Sequence, residues 1–129
     1  MSEKLSPIDQ IREIVKTDGR YRVEAYCYVF EALEHTIAHL GERRHVSGRE
    51  LCMGIRDLGI EKFGPLARMV FAQWGVLRTE DFGAIVFHLV ESGLMGKTDT
   101  DSHEDFRQVF DFEDTFERNL RLEVSIDGR

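Results

Sequence analysis

The stretch Val23-Glu-Ala-Tyr-Cys-Tyr-Val-Phe-Glu-Ala-Leu-Glu-His-Thr-Ile-Ala-His-Leu40, followed by Gly41, decides the fold. Tyr26, Val29, Phe30, Leu33, Ile37 and Leu40 recur three or four residues apart, so they fall on one side of a helix. Glu24, Glu31, Glu34, His35 and His39 fall on the other side. The spacing predicts a long amphipathic helix over 23–40, and Gly41 is a natural stop.

The segments on either side carry the same helical period. Upstream, Ser6-Pro7-Ile8-Asp9 is a helix start: Ser caps, Pro fits the first turn, and Asp suits the positive end of the dipole. Ile8, Ile11, Ile14 and Val15 follow at helical spacing, and Gly19 ends the helix. Downstream, Ser47-Gly-Arg-Glu50 reads as a capping box, with Val46 and Leu51 as its apolar staple. Leu51, Ile55 and Leu58 continue that helix, and a break is expected over 62–64. Further helices are expected over 65–74 and, after Gly75, from Thr79 to Gly93, with Thr79 as the cap. Phe106-Arg-Gln-Val-Phe-Asp-Phe112 has the mixed alternation of one strand. Residues 111–120 suit a short last helix, with Phe112 and Phe116 one turn apart; Leu122, Val124 and Ile126 suit a strand or a frayed tail. The expected fold is mainly α, about five helices, with a small C-terminal β element. Residues 1–129 form one domain, with the ends 1–5 and 125–129 frayed.

Composition bounds the function. The 129 residues are 42% hydrophobic with nine Phe, which is enough apolar surface for one core and excludes a mostly disordered chain. Two cysteines, Cys27 and Cys52, are too few for a disulfide scaffold, and buried, inert thiols are expected. No apolar run approaches the ~20 residues of a membrane span, and the N-terminus lacks the apolar core of a signal peptide. A cytoplasmic protein with reduced thiols is expected. The net charge of −7 repels nucleic acid and anionic lipid at long range. It is unevenly spread: residues 97–129 carry −5, whereas 41–68 carry +2.

Four candidate sites follow. Arg43, Arg44, Arg49 and Arg56 form the basic patch, suited to a phosphate or an acidic partner beside the helix start at Ser47. The bland alternative is a solvated face paired with Glu42, Glu50 and Asp57. Glu31, His35 and His39, four residues apart, stack three possible metal ligands on one helix face, with no fourth in sight. The acidic run Asp99 to Asp105 fails the pattern of a calcium loop, with Glu104 where Gly is required. Trp74 and the Phe-rich tail read as core, or as a partner's anchor if a ring is exposed. No Gly-x-Ser-x-Gly, phosphate-binding loop or Gly-x-Gly-x-x-Gly occurs. Neither a resident cofactor nor catalysis is expected.

Two resemblances extend the reading. Residues 64–112, with two helices joined near Gly75, then Ser92-Gly-Leu-Met-Gly96, a polar loop and the Asp105–Phe110 stretch, resemble the recognition helix and wing of bacterial winged-helix regulators. Glu80, Asp81 and Glu91 on the would-be recognition helix, and Asp99, Asp101, Glu104 and Asp105 on the wing, oppose phosphate contact. Separately, His45-Val-Ser-Gly-Arg-Glu-Leu51, Thr79-Glu-Asp-Phe-Gly83, Asp105-Phe-Arg-Gln-Val-Phe-Asp-Phe112 and segments 26–34 and 64–75 resemble an uncharacterised family of small bacterial proteins restricted to planctomycetes and verrucomicrobia. That resemblance spans roughly residues 8–117 and implies a bacterial cytoplasmic protein of one compact domain. It carries over no catalytic residue. The expected function is a non-enzymatic interaction module that binds a protein partner or forms a homodimer, away from membranes. The alternative is a winged-helix-type nucleic-acid-binding regulator using the patch from Arg43 to Arg56.

Overall fold

A computed structural model of the chain describes residues 6–96 and 103–118. Five α-helices run in order: α1 (Pro7–Thr17), α2 (Val23–Leu40), α3 (Gly48–Phe63), α4 (Ala67–Gln73) and α5 (Thr79–Glu91). A 3-10 turn, Gly64–Leu66, joins α3 to α4. A second, His103–Phe106, precedes a π-helical turn, Glu113–Arg118.

The helix ends obey local chemistry. Ser6 Oγ accepts from the Asp9 amide at 3.2 Å. Gly41 ends α2 at φ 79°, a left-handed conformation that a side chain resists. The capping box of α3 is complete, with Ser47 Oγ accepting from the Glu50 amide at 3.1 Å and Glu50 accepting from the Ser47 amide at 3.0 Å. Gly64, at φ 54°, ends α3 inside the expected break.

Helix α2 is the central element, touching α1, α3 and α5. Its buried face is rotated from the expected stripe. Ala25, Tyr26, Tyr28, Val29, Ala32 and Thr36 are buried, whereas Phe30, Leu33, Ile37 and Leu40 are only partly so. Small residues let the backbones approach. A Cβ on Gly54 of α3 would collide with Thr36 Oγ1. Phe71 is the hub of the aromatic core, with ring centroids 5.2 Å from Tyr28, 5.3 Å from Phe82 and 5.5 Å from Phe116.

Two sequence expectations fail. Thr79 does not cap α5. Its hydroxyl is fully buried, donates to the Phe106 carbonyl at 2.7 Å and accepts from the Val109 amide at 3.2 Å. Asp81 does the capping instead, accepting from the Leu77 amide at 2.8 Å. The strand expected over 106–112 is absent. No strand occurs among the described residues, and that backbone bonds to the Thr79 and Glu80 side chains of α5 rather than to a neighbouring strand. Its aromatic residues go inward instead. Phe106 packs against the Cα positions of Gly48 and Gly83, and Phe112 and Phe116 pack on Phe71. The wing of a winged-helix half is therefore not seen among the described residues. Residues 97–102 of the acidic loop 97–105, the alternating stretch 122–126 and the ends 1–5 and 125–129 lie outside them.

Candidate functional site

Three of the four arginines of the basic patch are already paired. Arg44 forms a fork on Glu50, with nitrogen–oxygen distances of 3.2 and 2.8 Å, and also reaches Glu42 at 3.5 Å. This guanidinium, helped by the Ser47 amide, pulls the Glu50 carboxyl down to about 2. Arg43 lies 3.5 Å from Glu34, and Arg56 lies 2.8 Å from Asp57. Arg49 is exposed and makes no ion pair with a described residue. The α3 N-terminus offers little to an anion, because the Glu50 carboxylate already takes the Ser47 amide.

Of the three possible metal ligands on α2, Glu31 and His39 already have bonding partners, and the His35 side chain has only the His39 ring against it among the described residues. Glu31 accepts from Lys62 Nζ at 2.7 and 2.8 Å. His39 Nδ1 lies 2.9 Å from the His35 carbonyl, with the two rings 4.2 Å apart. No group of His, Cys, Asp or Glu among the described residues is arranged to hold a metal ion. The cysteines differ from expectation in one respect. Cys52 is fully buried, which pushes its thiol up to about 12, but Cys27 is exposed.

His88 is a pin between three elements. Tyr26 Oη lies 2.9 Å from Nδ1, and Asp18 Oδ2 lies 3.4 Å from Nε2. Asp18 in turn takes a fork from Arg20, at 3.1 and 3.0 Å, which holds its carboxyl below the usual range. Burial pushes the Tyr26 hydroxyl up to about 12. The Asp–His–Tyr order invites an acid–base reading. His88 and Asp18 line the open cleft of about 590 Å³ beside α1, but both imidazole nitrogens already face protein partners, and Tyr26 is fully buried behind them. Asp81 is likewise turned inward, accepting from the Tyr21 hydroxyl at 2.7 Å.

The feature with the most chemical character escaped the sequence reading. An open groove of about 670 Å³ lies between α1, α2 and the ends of α3 and α4. Its aromatic lining comes from three elements: Tyr28 on α2, Phe63 at the end of α3 and Trp74 after α4. Tyr28 and Trp74 have centroids 5.4 Å apart, and Phe63 meets Trp74 edge-on at 5.9 Å. Phe63 and Trp74 are half-buried, and Tyr28 is buried, donating to the Ile55 carbonyl at 2.7 Å. Glu24, Cys27 and Glu31 share one face of α2 along the groove wall. Arg12 and Lys62 stand on the rim. A second apolar surface lies on the outer side of α4, where Leu66 and Met69 are more than half exposed.

No protein-family model matches this chain, and neither a curated protein nor a solved structure does. No helix among the described residues is long and apolar enough to cross a membrane.

Proposed function

We propose that this chain is a non-enzymatic interaction module that binds a protein partner through the aromatic groove. The observation that carries this reading is the half-buried Trp74 beside Phe63 in an open concavity. Aromatic anchors of this kind supply large contact area at low entropic cost, and Trp is enriched among residues that dominate binding energy. A partner of different composition fits better than a second copy, because two chains of charge −7 repel each other. The non-enzymatic part of the reading rests on the engaged nitrogens of His88 and on both thiols being pushed upward, chiefly by burial. A bacterial cytoplasmic setting follows from the family resemblance in the sequence.

The alternative is a winged-helix-type nucleic-acid-binding regulator working through Arg43, Arg44, Arg49 and Arg56. Arg49 favours it as the one exposed arginine of the patch without an ion pair to a described residue. The internal pairing of the other three weighs against it, since each must leave a carboxylate before meeting a phosphate. The test is capture from nuclease-treated lysate of the native host by the full chain and by a Cys27→Trp variant that fills the groove. Proteins retained by the wild type and released by the variant support the groove. A bound set that vanishes with nuclease, or survives the filled groove unchanged, overturns the reading. A mass near twice 15.0 kDa in light scattering, falling in high salt, would make the partner a second copy.

A further inference from the structure

Resting on the groove as the contact site, we infer that what it takes from the partner is an arginine side chain within a basic segment. The rings supply the first reason. Tyr28, Phe63 and Trp74 meet at interplanar angles of 33°, 52° and 79°, so the groove presents both faces and edges. Ring faces attract cations, Trp most strongly, and a guanidinium also stacks flat on them.

The second reason is that the groove already holds a cation. Lys62 Nζ lies 5.8 Å from the Phe63 ring centroid and 2.7 Å from Glu31 Oε1. A ring face plus a carboxylate is thus a pairing this surface already makes, with a side chain that is 41% exposed and free to swing aside. Third, Glu24 stands on the same wall and makes no ion pair or hydrogen bond with a described residue. With Glu31 held by Lys62, and Arg12 lying 3.4 Å from Asp9, Glu24 is the charge on the groove wall that no described residue pairs. The net charge of −7 steers a basic segment toward the chain.

Glutamate 24 pairs with the guanidinium at its edge while the plane rests on Trp74 and Phe63. Such a site discriminates charge as well as shape. Citrulline has the size and planarity of arginine without the charge, so it separates a cation site from a merely apolar groove.

Trp74 is the chain's one tryptophan, so its fluorescence reports this groove alone. Acetyl-Ala-Arg-Ala-amide and its citrulline counterpart are titrated against the full chain into the millimolar range. The expected result is a saturable change with the arginine probe and binding about tenfold weaker with citrulline, the scale of one cation–ring contact with its carboxylate. Glu24→Gln, a surface change, is expected to weaken the arginine probe several-fold and leave the citrulline probe unmoved. Equal binding of both probes, or no saturable change with either, overturns the inference. The capture experiment with Cys27→Trp is independent of these probes. A partner lost on filling the groove, together with probes that bind equally, retains the protein-contact site and discards the arginine.

Discussion

Replacing Gly54 by Ala tests the closest approach in the fold. Alanine is the better helix former, so on propensity alone Gly54→Ala stabilises α3 by about 1 kcal/mol. The structure opposes this. The new methyl collides with Thr36 Oγ1 and stands 3.1 Å from Thr36 Cβ. Thr36 is 7% exposed, and its hydroxyl donates to the Ala32 carbonyl at 2.7 Å. Its χ1 is stiff, so the hydroxyl leaves only by breaking that bond, or else α2 and α3 move apart. Either route costs about 2–3 kcal/mol. The net expectation is destabilisation by about 1–2 kcal/mol, the clash outweighing the propensity. In a Thr36→Ala background the oxygen is gone, and the remaining contact needs the neighbour to give only a few tenths of an ångström. The same Gly54→Ala change should then be neutral or stabilising by up to about 1 kcal/mol. The assay is equilibrium urea unfolding of the four proteins, read at unchanged m-value. A stabilising single variant, or a coupling below about 0.5 kcal/mol, refutes the close approach of α2 and α3.

Tyr26→Phe removes the hydroxyl facing His88 Nδ1, and a loss of about 1–2 kcal/mol is expected in the same unfolding assay. An unchanged stability would mean that the pin among Asp18, His88 and Tyr26 holds nothing. The Glu50 carboxyl lies below its ordinary value in the folded chain, so its contribution is present at neutral pH and is lost as pH falls from about 4.5 toward 2. Glu50→Gln should therefore be less stable at pH 7 and show a shallower acid limb in a pH series of melting temperatures. Parallel acid limbs would refute the Arg44 fork as the cause.

Helix α2 was legible because its period and its glycine stop are local. Which side of it is buried was not. The large apolar residues Phe30, Leu33 and Ile37 point to one stripe, but burial follows the close approach of α3, which selects the small Ala32 and Thr36. No apolar count over α2 registers Gly54, which lies on another helix. Thr79 misled for a related reason. Its type and position suit a cap, yet Asp81 two residues on has the reach for that task, which leaves the hydroxyl to the Phe106 carbonyl. The run at 106–112 alternated like a strand, but a strand also needs a neighbour, and its phenylalanines had glycine-sized sockets to enter at Gly48 and Gly83. For the arginine patch, the bland alternative named Glu42, Glu50 and Asp57 as partners, and Arg44 and Arg56 do meet them. Glu34, contributed by α2, appears only when the helices are packed.

The groove was the least legible feature, since Tyr28, Phe63 and Trp74 meet only through the crossing of α2 with the ends of α3 and α4. That origin also bears on how it binds. The groove rings are the outer edge of the core's own aromatic network: Trp74 packs on Phe71 at 5.5 Å, and Phe71 on Phe82 and Phe116. Tyr28 is further fixed by its bond to the Ile55 carbonyl. Rings held this way have already lost their rotamer freedom on folding, so a ligand meets a surface whose ordering cost, about 0.5–1.5 kcal/mol per mobile side chain, is largely met beforehand. Only Lys62 has to move. The same coupling means that substituting the rings changes the fold together with the site. Glu24 and Cys27 are the positions that address the groove alone, because they wall it and are exposed.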